Sequence, residues 1–138
     1  MGNINRRTFM AGATTAGVAL AAGGRARAAA ANGTVVLALM GVNNRGSQLA
    51  QGFAKVKGAE IAYVCDCDEQ AIPQGIAAAG HNGGRTPKGI KDFREALDDP
   101  SVDALICAAP NHWHAAATIL ACAAGKHVYV EKPASHTA

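Results

Sequence analysis

The fold is decided by residues 34–46, TVVLALMGVNNRG, in which a continuous apolar run ends in a turn bounded by glycines. A short apolar run without polar alternation is typical of a strand buried on both faces of a parallel sheet. Apolar residues then recur at helical spacing over residues 45–57, and Gly58 supplies a stop signal. The stretch therefore predicts a strand, a glycine-bounded turn and a helix in direct succession.

The rest of the chain repeats this alternation of strand and helix. Further strands are predicted at residues 60–65, 103–109 and 126–131, and helices at 68–79, 92–97 and from His112 or Trp113 to Ala124. Strands separated by helices predict right-handed βαβ units and hence an α/β fold with a doubly wound, Rossmann-type parallel sheet. The chain stops seven residues after Glu131, so we expect the sheet to be incomplete at the C-terminus.

Four local signals refine the predicted helices. Asp68 is a candidate N-cap of the helix over residues 68–79, and Pro73 inside that helix predicts a break or kink. Asp92 followed by Glu95 has the spacing of a capping box. Gly125 closes the last helix before the final strand.

An acidic residue completes the pattern of a dinucleotide-binding turn. Asp66 follows Gly46 by 20 residues and lies at the end of the second strand. Gly41 would permit the tight turn and Gly46 the close packing of helix on strand, while the helix N-terminus presents amides to a pyrophosphate. Asn43 stands in the place of the middle glycine, where its Cβ crowds the phosphate but its side chain tolerates left-handed geometry. The alternative is a structural turn that binds nothing.

Asp66 also predicts which cofactor the site prefers. A carboxylate at this strand end accepts hydrogen bonds from the adenosine ribose hydroxyls and repels a 2′-phosphate, which favours NAD over NADP. A neighbouring basic residue reverses that preference in some sites, and Arg45 is the candidate here. For Asp68 we expect a capping role rather than a contact to the ribose.

Two further segments should meet the cofactor at the carboxyl edge of the sheet. They are APNHWH, residues 109–114, and EKP, residues 131–133. His112 and His114 could form an acid/base pair or bind a metal. Because no Asp, Glu or Cys lies nearby at ligand spacing, we predict no metal site. We expect His114 to be a residue at the start of a helix, without a catalytic role. Lys132 lies where a lysine can pass protons, the alternative being an ordinary surface lysine.

Composition and charge exclude several classes of protein. The 138 residues are 49% hydrophobic and 17% charged, which suits one globular domain and neither disorder nor a disulfide scaffold. Four of the 13 basic residues fall in the first 31, which contain no Asp or Glu, leaving 9 basic and 10 acidic residues beyond them. Charge therefore gives no support to a nucleic-acid partner. The four cysteines are expected to be small apolar residues, with Cys107 and Cys122 on buried faces.

Residues 1–31 have the features of a targeting segment. Adjacent arginines precede a weakly apolar stretch of about 16 residues, and small residues at 28–31 offer cleavage sites. The run NRRTFM, residues 5–10, resembles the twin-arginine export signal, which implies passage of a folded protein through the export machinery to the periplasm or beyond. The alternative is an N-terminal membrane anchor, for which the stretch is short.

Together the turn GVNNRG, Asp66, DFREALDDPSVDAL, APNHWHA and EKP resemble the exported members of the Gfo/Idh/MocA oxidoreductase family over residues 34–138. The resemblance implies that Lys132 is the active-site lysine contacting substrate and nicotinamide, that residues 110–112 line the nicotinamide pocket, and that Glu131 and Pro133 shape their turn. It also implies a second, sugar-binding domain, which we expect to lie outside these 138 residues. The cofactor-binding candidates are Gly41, Asn43, Asn44, Arg45, Gly46, Asp66, Pro110, Asn111, His112, Glu131 and Lys132.

These observations leave three functional hypotheses. The first is the NAD-binding domain of an oxidoreductase that moves a hydride between a sugar or polyol and NAD, with a homo-oligomer expected for the full-length protein. The second is a glycosidase of the same family that regenerates its NAD in each turnover. The third is a truncated remnant without catalytic activity, since the last strand would expose an unpaired edge.

Overall fold

The computed structural model describes residues 33–80 and 85–135. The predicted targeting segment, residues 1–31, lies outside the described residues, as do the glycine-rich residues 81–84. Within the described ranges no helix is long and apolar enough to cross a bilayer.

The described residues form five strands and four α-helices in the alternation that the sequence predicts. In chain order they are β1 (Val35–Met40), α1 (Arg45–Phe53), β2 (Ala59–Cys65), α2 (Ala71–Ala79), β3 (Lys88–Ile90), α3 (Arg94–Asp98), β4 (Ala104–Cys107), a 3-10 turn (Asn111–Trp113), α4 (His114–Ala123) and β5 (His127–Val130).

All strands pair in parallel in the order β3-β2-β1-β4-β5, which is the Rossmann order and confirms the predicted fold class. The chain places β2 and β3 on one side of β1 and then crosses over to place β4 and β5 on the other side. A cleft therefore opens beyond the carboxyl ends of β2, β1 and β4, where ligands of such sheets bind.

Helices cover both faces of the sheet, and alternate residues of β1 contact opposite layers. Leu37 and Leu39 belong to the core that includes α1 and α2. Ala38 and Met40 belong to the core that includes α3 and α4. This two-sided burial is the reason why the strand is apolar throughout rather than alternating.

Helix α2 starts later than predicted and is not broken. Its first residue is Ala71, and it continues through Pro73 to Ala79. Pro73 is the third helical residue, so its missing N–H falls in the first turn, where no intrahelical partner exists. Asp68 is not the N-cap; its carboxylate accepts the Gln70 amide at 2.9 Å and forms the preceding turn.

Helix α3 begins at Arg94 rather than Asp92. The N-cap is Phe93, not Asp92; the Asp92 carboxylate accepts the Arg94 amide at 3.0 Å and closes the turn that precedes the helix. Glu95 does not complete the predicted capping box with Asp92; its carboxylate lies 3.5 Å from the Lys88 ammonium instead.

Helix α1 ends at Phe53, and the predicted continuation to residue 57 forms turns instead. The cysteine prediction is also corrected in part. Cys65 and Cys107 are buried free thiols, but Cys122 and Cys67 are exposed.

Candidate functional site

Three adjoining cavities follow the carboxyl edge of the sheet. The first, of about 470 Å³, lies among the ends of β1, β2, β3 and β4. The second borders the turn between β1 and α1, and the third lies between the segments that follow β4 and β5. Ala109 lines all three, Asp66 the first two and Arg45 the last two, so the cavities form one elongated groove.

The backbone of the β1–α1 turn requires both of its bounding glycines. Gly41 has a φ of +81°, and a Cβ there would lie 2.5 Å from the Ala109 amide nitrogen. A Cβ on Gly46 would overlap the carbonyl oxygen of Gly41. The turn is thus closed too tightly for side chains at either end, and it brings the first turn of α1 against the strand ends.

The left-handed residue in this turn is Asn44, not Asn43. Asn44 has a φ of 32°, and no other described non-glycine residue has a positive φ. Asn43 instead accepts the Gly46 amide at its carbonyl oxygen, at 2.9 Å. Both side chains line the second cavity, beside the amides at the N-terminus of α1.

Asp66 is held rigidly at the junction of the first two cavities. Its Oδ2 accepts the Val42 amide at 2.9 Å and its Oδ1 accepts the Asp68 amide at 3.0 Å. An ionised carboxylate offers about four acceptor positions, so acceptor capacity remains for a ligand. The carboxylate therefore joins the glycine turn to the end of β2 and is oriented before any ligand arrives.

The cations around the first cavity already have anionic partners. Arg94 contacts both Asp92 oxygens, at 2.6–3.0 Å, and lowers the pKa of that carboxyl below its ordinary value. Lys91 pairs with Glu69. The basic charge near Asp66 is therefore neutralised within the protein.

Aromatic rings form the outer wall of the first cavity. Phe93 and Trp113 meet edge to face, with ring centroids 6.2 Å apart and planes at 75°. His112 and Pro110 complete this wall beside them. A planar, partly apolar ligand group would find a stacking surface here.

An ion pair crosses the third cavity. Arg45 donates to the Glu131 carboxylate at 2.9 Å, and this hydrogen bond lowers the pKa of Glu131. Arg45 therefore forms its ion pair on the β5 side of the groove, and among the described residues no ion pair joins it to Asp66.

Lys132 and Asn111 line the same third cavity. Lys132 is exposed, and no carboxylate of the described residues lies within ion-pair distance of its ammonium. The groove thus ends in a cation that is accessible to a ligand.

The structure separates the two histidines that the sequence grouped. His112 is exposed, whereas His114 is 1% exposed with its ring between two backbone carbonyls. They do not form an acid/base pair. In residues 33–80 and 85–135 no three His, Cys, Asp or Glu side chains are grouped as a metal site would need.

The residues of the first cavity that follow β3 were not predicted from the sequence. Strand β3 has only three residues, Lys88–Ile90, and no apolar run in the sequence indicates a strand there. The sequence therefore gave no reason to place Lys91, Asp92, Phe93 or Arg94 beside Asp66. The edge pairing of β3 with β2 is what puts them there.

Comparison with known proteins agrees with this geometry. Residues 20–138 match the family model for the Gfo/Idh/MocA oxidoreductases, described as an NAD-binding Rossmann fold. A curated relative from Shewanella sp. (strain ANA-3), named glycosyl hydrolase family 109 protein 2, is 33% identical over 107 residues, which is 75% of this chain. The chain spans about a quarter of that relative's length, 24%.

Solved structures show the same fold. Myo-inositol dehydrogenase from Lactobacillus casei, in complex with NAD(H) and myo-inositol, is 25% identical with a TM-score of 0.65; the match covers 75% of this chain and 30% of that one. The WlbA dehydrogenase from Bordetella pertussis, in complex with NADH and UDP-GlcNAcA, is 25% identical with a TM-score of 0.64; there the match covers 74% and 30%.

Proposed function

Because the chain belongs to the Gfo/Idh/MocA oxidoreductase family and is an NAD-binding Rossmann domain, we propose that it serves an enzyme transferring a hydride between a sugar or polyol and NAD. The observation that carries this proposal is the row of three adjoining cavities, with Asp66 lining the first two and Lys132 the third.

In this proposal the Asp66 carboxylate accepts hydrogen bonds from the hydroxyls of the adenosine ribose. Its carboxylate is already oriented by the Val42 and Asp68 amides, so binding does not require it to be ordered. The glycine turn lets the chain approach the pyrophosphate, and the N-terminus of α1 directs amides towards it. The residues present therefore fit a dinucleotide.

The same corner supports NAD in preference to NADP. A 2′-phosphate would meet the Asp66 carboxylate, while Arg94 and Lys91 are already paired with Asp92 and Glu69. Recruiting either cation would break an exposed ion pair, which contributes little to stability, so the repulsion by Asp66 is the main support for this preference.

At the other end of the groove we assign Lys132 to proton transfer. The nicotinamide ring, when bound, supplies the hydride chemistry; Lys132 would take the proton of the substrate hydroxyl or return it. Asn111 and Glu131 line the cavity in which the ring would lie, and Arg45 fixes Glu131.

A second candidate function is favoured by the relatives named glycosyl hydrolase family 109. In such an enzyme NAD oxidises the sugar transiently and is regenerated before release. The same Asp66 and Lys132 would serve both reactions, so the groove alone does not distinguish them.

One assay separates these reactions. The protein as its gene encodes it would be incubated with NAD and a panel of sugars, polyols and aryl glycosides while NADH absorbance and released aglycone are followed. NADH accumulating in proportion to oxidised substrate supports the dehydrogenase. Aglycone release without net NADH supports the glycosidase, and neither product at saturating cofactor contradicts both.

We also propose that residues 1–31 direct export by the twin-arginine pathway, so that the domain works outside the cytoplasm. The support is the sequence itself, with Arg6 and Arg7 ahead of a weakly apolar stretch. Replacing both arginines with lysine should leave the protein in the cytoplasmic fraction. Export of the doubly substituted protein at the original level would contradict the assignment.

A further inference from the structure

His114 is one of two buried polar side chains among the described residues, the other being Ser47. Its Nε2 lies 2.9 Å from the Ala109 carbonyl oxygen, and its Nδ1 lies 2.5 Å from the carbonyl oxygen of Pro133. Ala109 lines every part of the groove, and Pro133 directly follows Lys132. The ring thus joins the segment after β4 to the turn that carries Lys132.

This connection differs from the Arg45–Glu131 ion pair, which also holds the turn. Lys132 and Pro133 are exposed, and the Arg45–Glu131 ion pair involves an arginine whose side chain is 53% exposed, so solvent and salt weaken it. His114 is 1% exposed; the contact of its ring to Ala109 is buried and its contact to Pro133 is part-buried. A hydrogen bond from a buried ring is less accessible to water and salt than an exposed ion pair is.

Helix α4 holds the His114 ring in place. His114 is the first residue of α4, and its carbonyl oxygen accepts the Thr118 hydroxyl at 2.7 Å. Helix α4 in turn packs on the sheet through Ala117 and Ala121, both fully buried. The position of the ring is therefore set by the core of the domain rather than by the loop it contacts.

We propose that His114 is a positioning residue: with its proton on Nδ1 it donates to the Pro133 carbonyl and fixes the Lys132 turn at the third cavity. This inference rests on the proposed function, in which Lys132 transfers the proton. His114 does not touch the reacting atoms. Its loss should misplace Lys132 relative to the nicotinamide and the substrate, while the adenosine end at Asp66 remains intact.

The test compares His114→Phe, which keeps a ring but removes both nitrogens, with His114→Gln, which retains one donor. His127→Phe, an exposed histidine on β5, is the matched control. Each protein would be titrated with AMP and with NADH, whose fluorescence reports the surroundings of the nicotinamide. Turnover would be measured in the protein as its gene encodes it.

For His114→Phe we expect AMP affinity within about 2-fold of the unsubstituted protein, altered emission of bound NADH, and kcat lowered by about 100-fold with little change in KM. His114→Gln should recover part of kcat, and His127→Phe should behave normally. Unchanged kcat and NADH emission in His114→Phe, with Lys132→Ala slow, would overturn this inference alone. Normal turnover of Lys132→Ala would instead overturn the role of the lysine in the proposed function.

If His114→Phe does not fold, nitrogen NMR of the unsubstituted chain decides. Saturating NADH should shift the ring nitrogens of His114, and AMP should leave them in place. Equal shifts with both nucleotides, or none with either, would contradict a link between this ring and the nicotinamide end.

Discussion

Replacing Asp66 with alanine tests the adenosine end of the groove and affects stability as well as binding. The carboxylate accepts the Val42 amide at 2.9 Å and the more exposed Asp68 amide at 3.0 Å. Hydrogen bonds to charged groups are worth about 1.5–3 kcal/mol, but water can replace the carboxylate at the exposed amide. We therefore expect a loss of about 1–2 kcal/mol, with Tm falling by about 4–8 °C for each kcal/mol.

The loss in affinity should be larger and specific to NAD. Two ribose hydroxyls lose an ionised acceptor, which we expect to cost about 1.5–3 kcal/mol in total, or about 10- to 100-fold in Kd. NADP has only the 3′-hydroxyl left to lose such a contact, and its 2′-phosphate is relieved of repulsion. The ratio of NADP to NAD affinity should therefore rise.

Isothermal titration of the full chain with NAD and NADP, at one temperature below the lower Tm and one salt concentration, measures the two affinities, and thermal unfolding measures the change in Tm. Asp98→Ala, which removes an exposed carboxylate on α3, is the control and should change neither affinity. A folded Asp66→Ala protein that binds NAD with unchanged Kd would refute the assignment of Asp66 to the ribose.

Three further substitutions or treatments test other parts of the groove. Lys132→Ala should retain NAD binding but slow hydride transfer by about 100- to 10,000-fold in stopped-flow measurements; a normal rate removes the lysine from the mechanism. Burial raises the pKa of the Cys65 thiol to about 12, so at pH 8 this thiol stays protonated and should resist a thiol reagent. Exposed Cys67, which lines the first cavity, should react, and bound NAD should slow its reaction. Rapid labelling of Cys65 in the native protein would contradict its buried position. Gly41→Ala should lower the free energy of unfolding by more than about 1 kcal/mol, because the φ of Gly41 is +81° and a Cβ there would lie 2.5 Å from the Ala109 amide nitrogen. Gly52→Ala, which has open space around it, should stabilise α1 by about 0.5–1 kcal/mol. Equal urea midpoints for the two variants would contradict the geometry of the turn.

The sheet could be predicted from the sequence because long apolar runs report burial on both faces. Residues 34–40 and 103–109 have this pattern, and both contain strands of the parallel sheet. The positions of Gly41 and Asp66 at strand ends, and of Gly46 at the start of α1, follow from the same pattern. Their convergence is a property of any parallel sheet, since all carboxyl ends lie at one edge.

The first cavity could not be predicted because it depends on a strand of three residues. Lys88–Ile90 has no periodicity to detect, and its place is decided by pairing with β2. The neutralisation of Arg94 by Asp92 is equally invisible, since their spacing of two predicts no contact on a helix. Tertiary pairing rather than local preference sets this end of the groove.

The burial of His114 also escapes prediction. A histidine at the start of a helix is an ordinary surface residue in most proteins, and nothing near it in sequence indicates otherwise. Its partner Pro133 lies 19 positions further along the chain. Only the return of β5 beside β4 brings the two together.

The most direct test of the account is a crystal structure of this chain with NADH. We predict the adenosine ribose hydroxyls within hydrogen-bonding distance of the Asp66 carboxylate, the pyrophosphate at the N-terminus of α1, and the nicotinamide in the cavity lined by Lys132. A nucleotide bound elsewhere, or a nicotinamide directed away from Lys132, would contradict the central claim that this groove is the cofactor site.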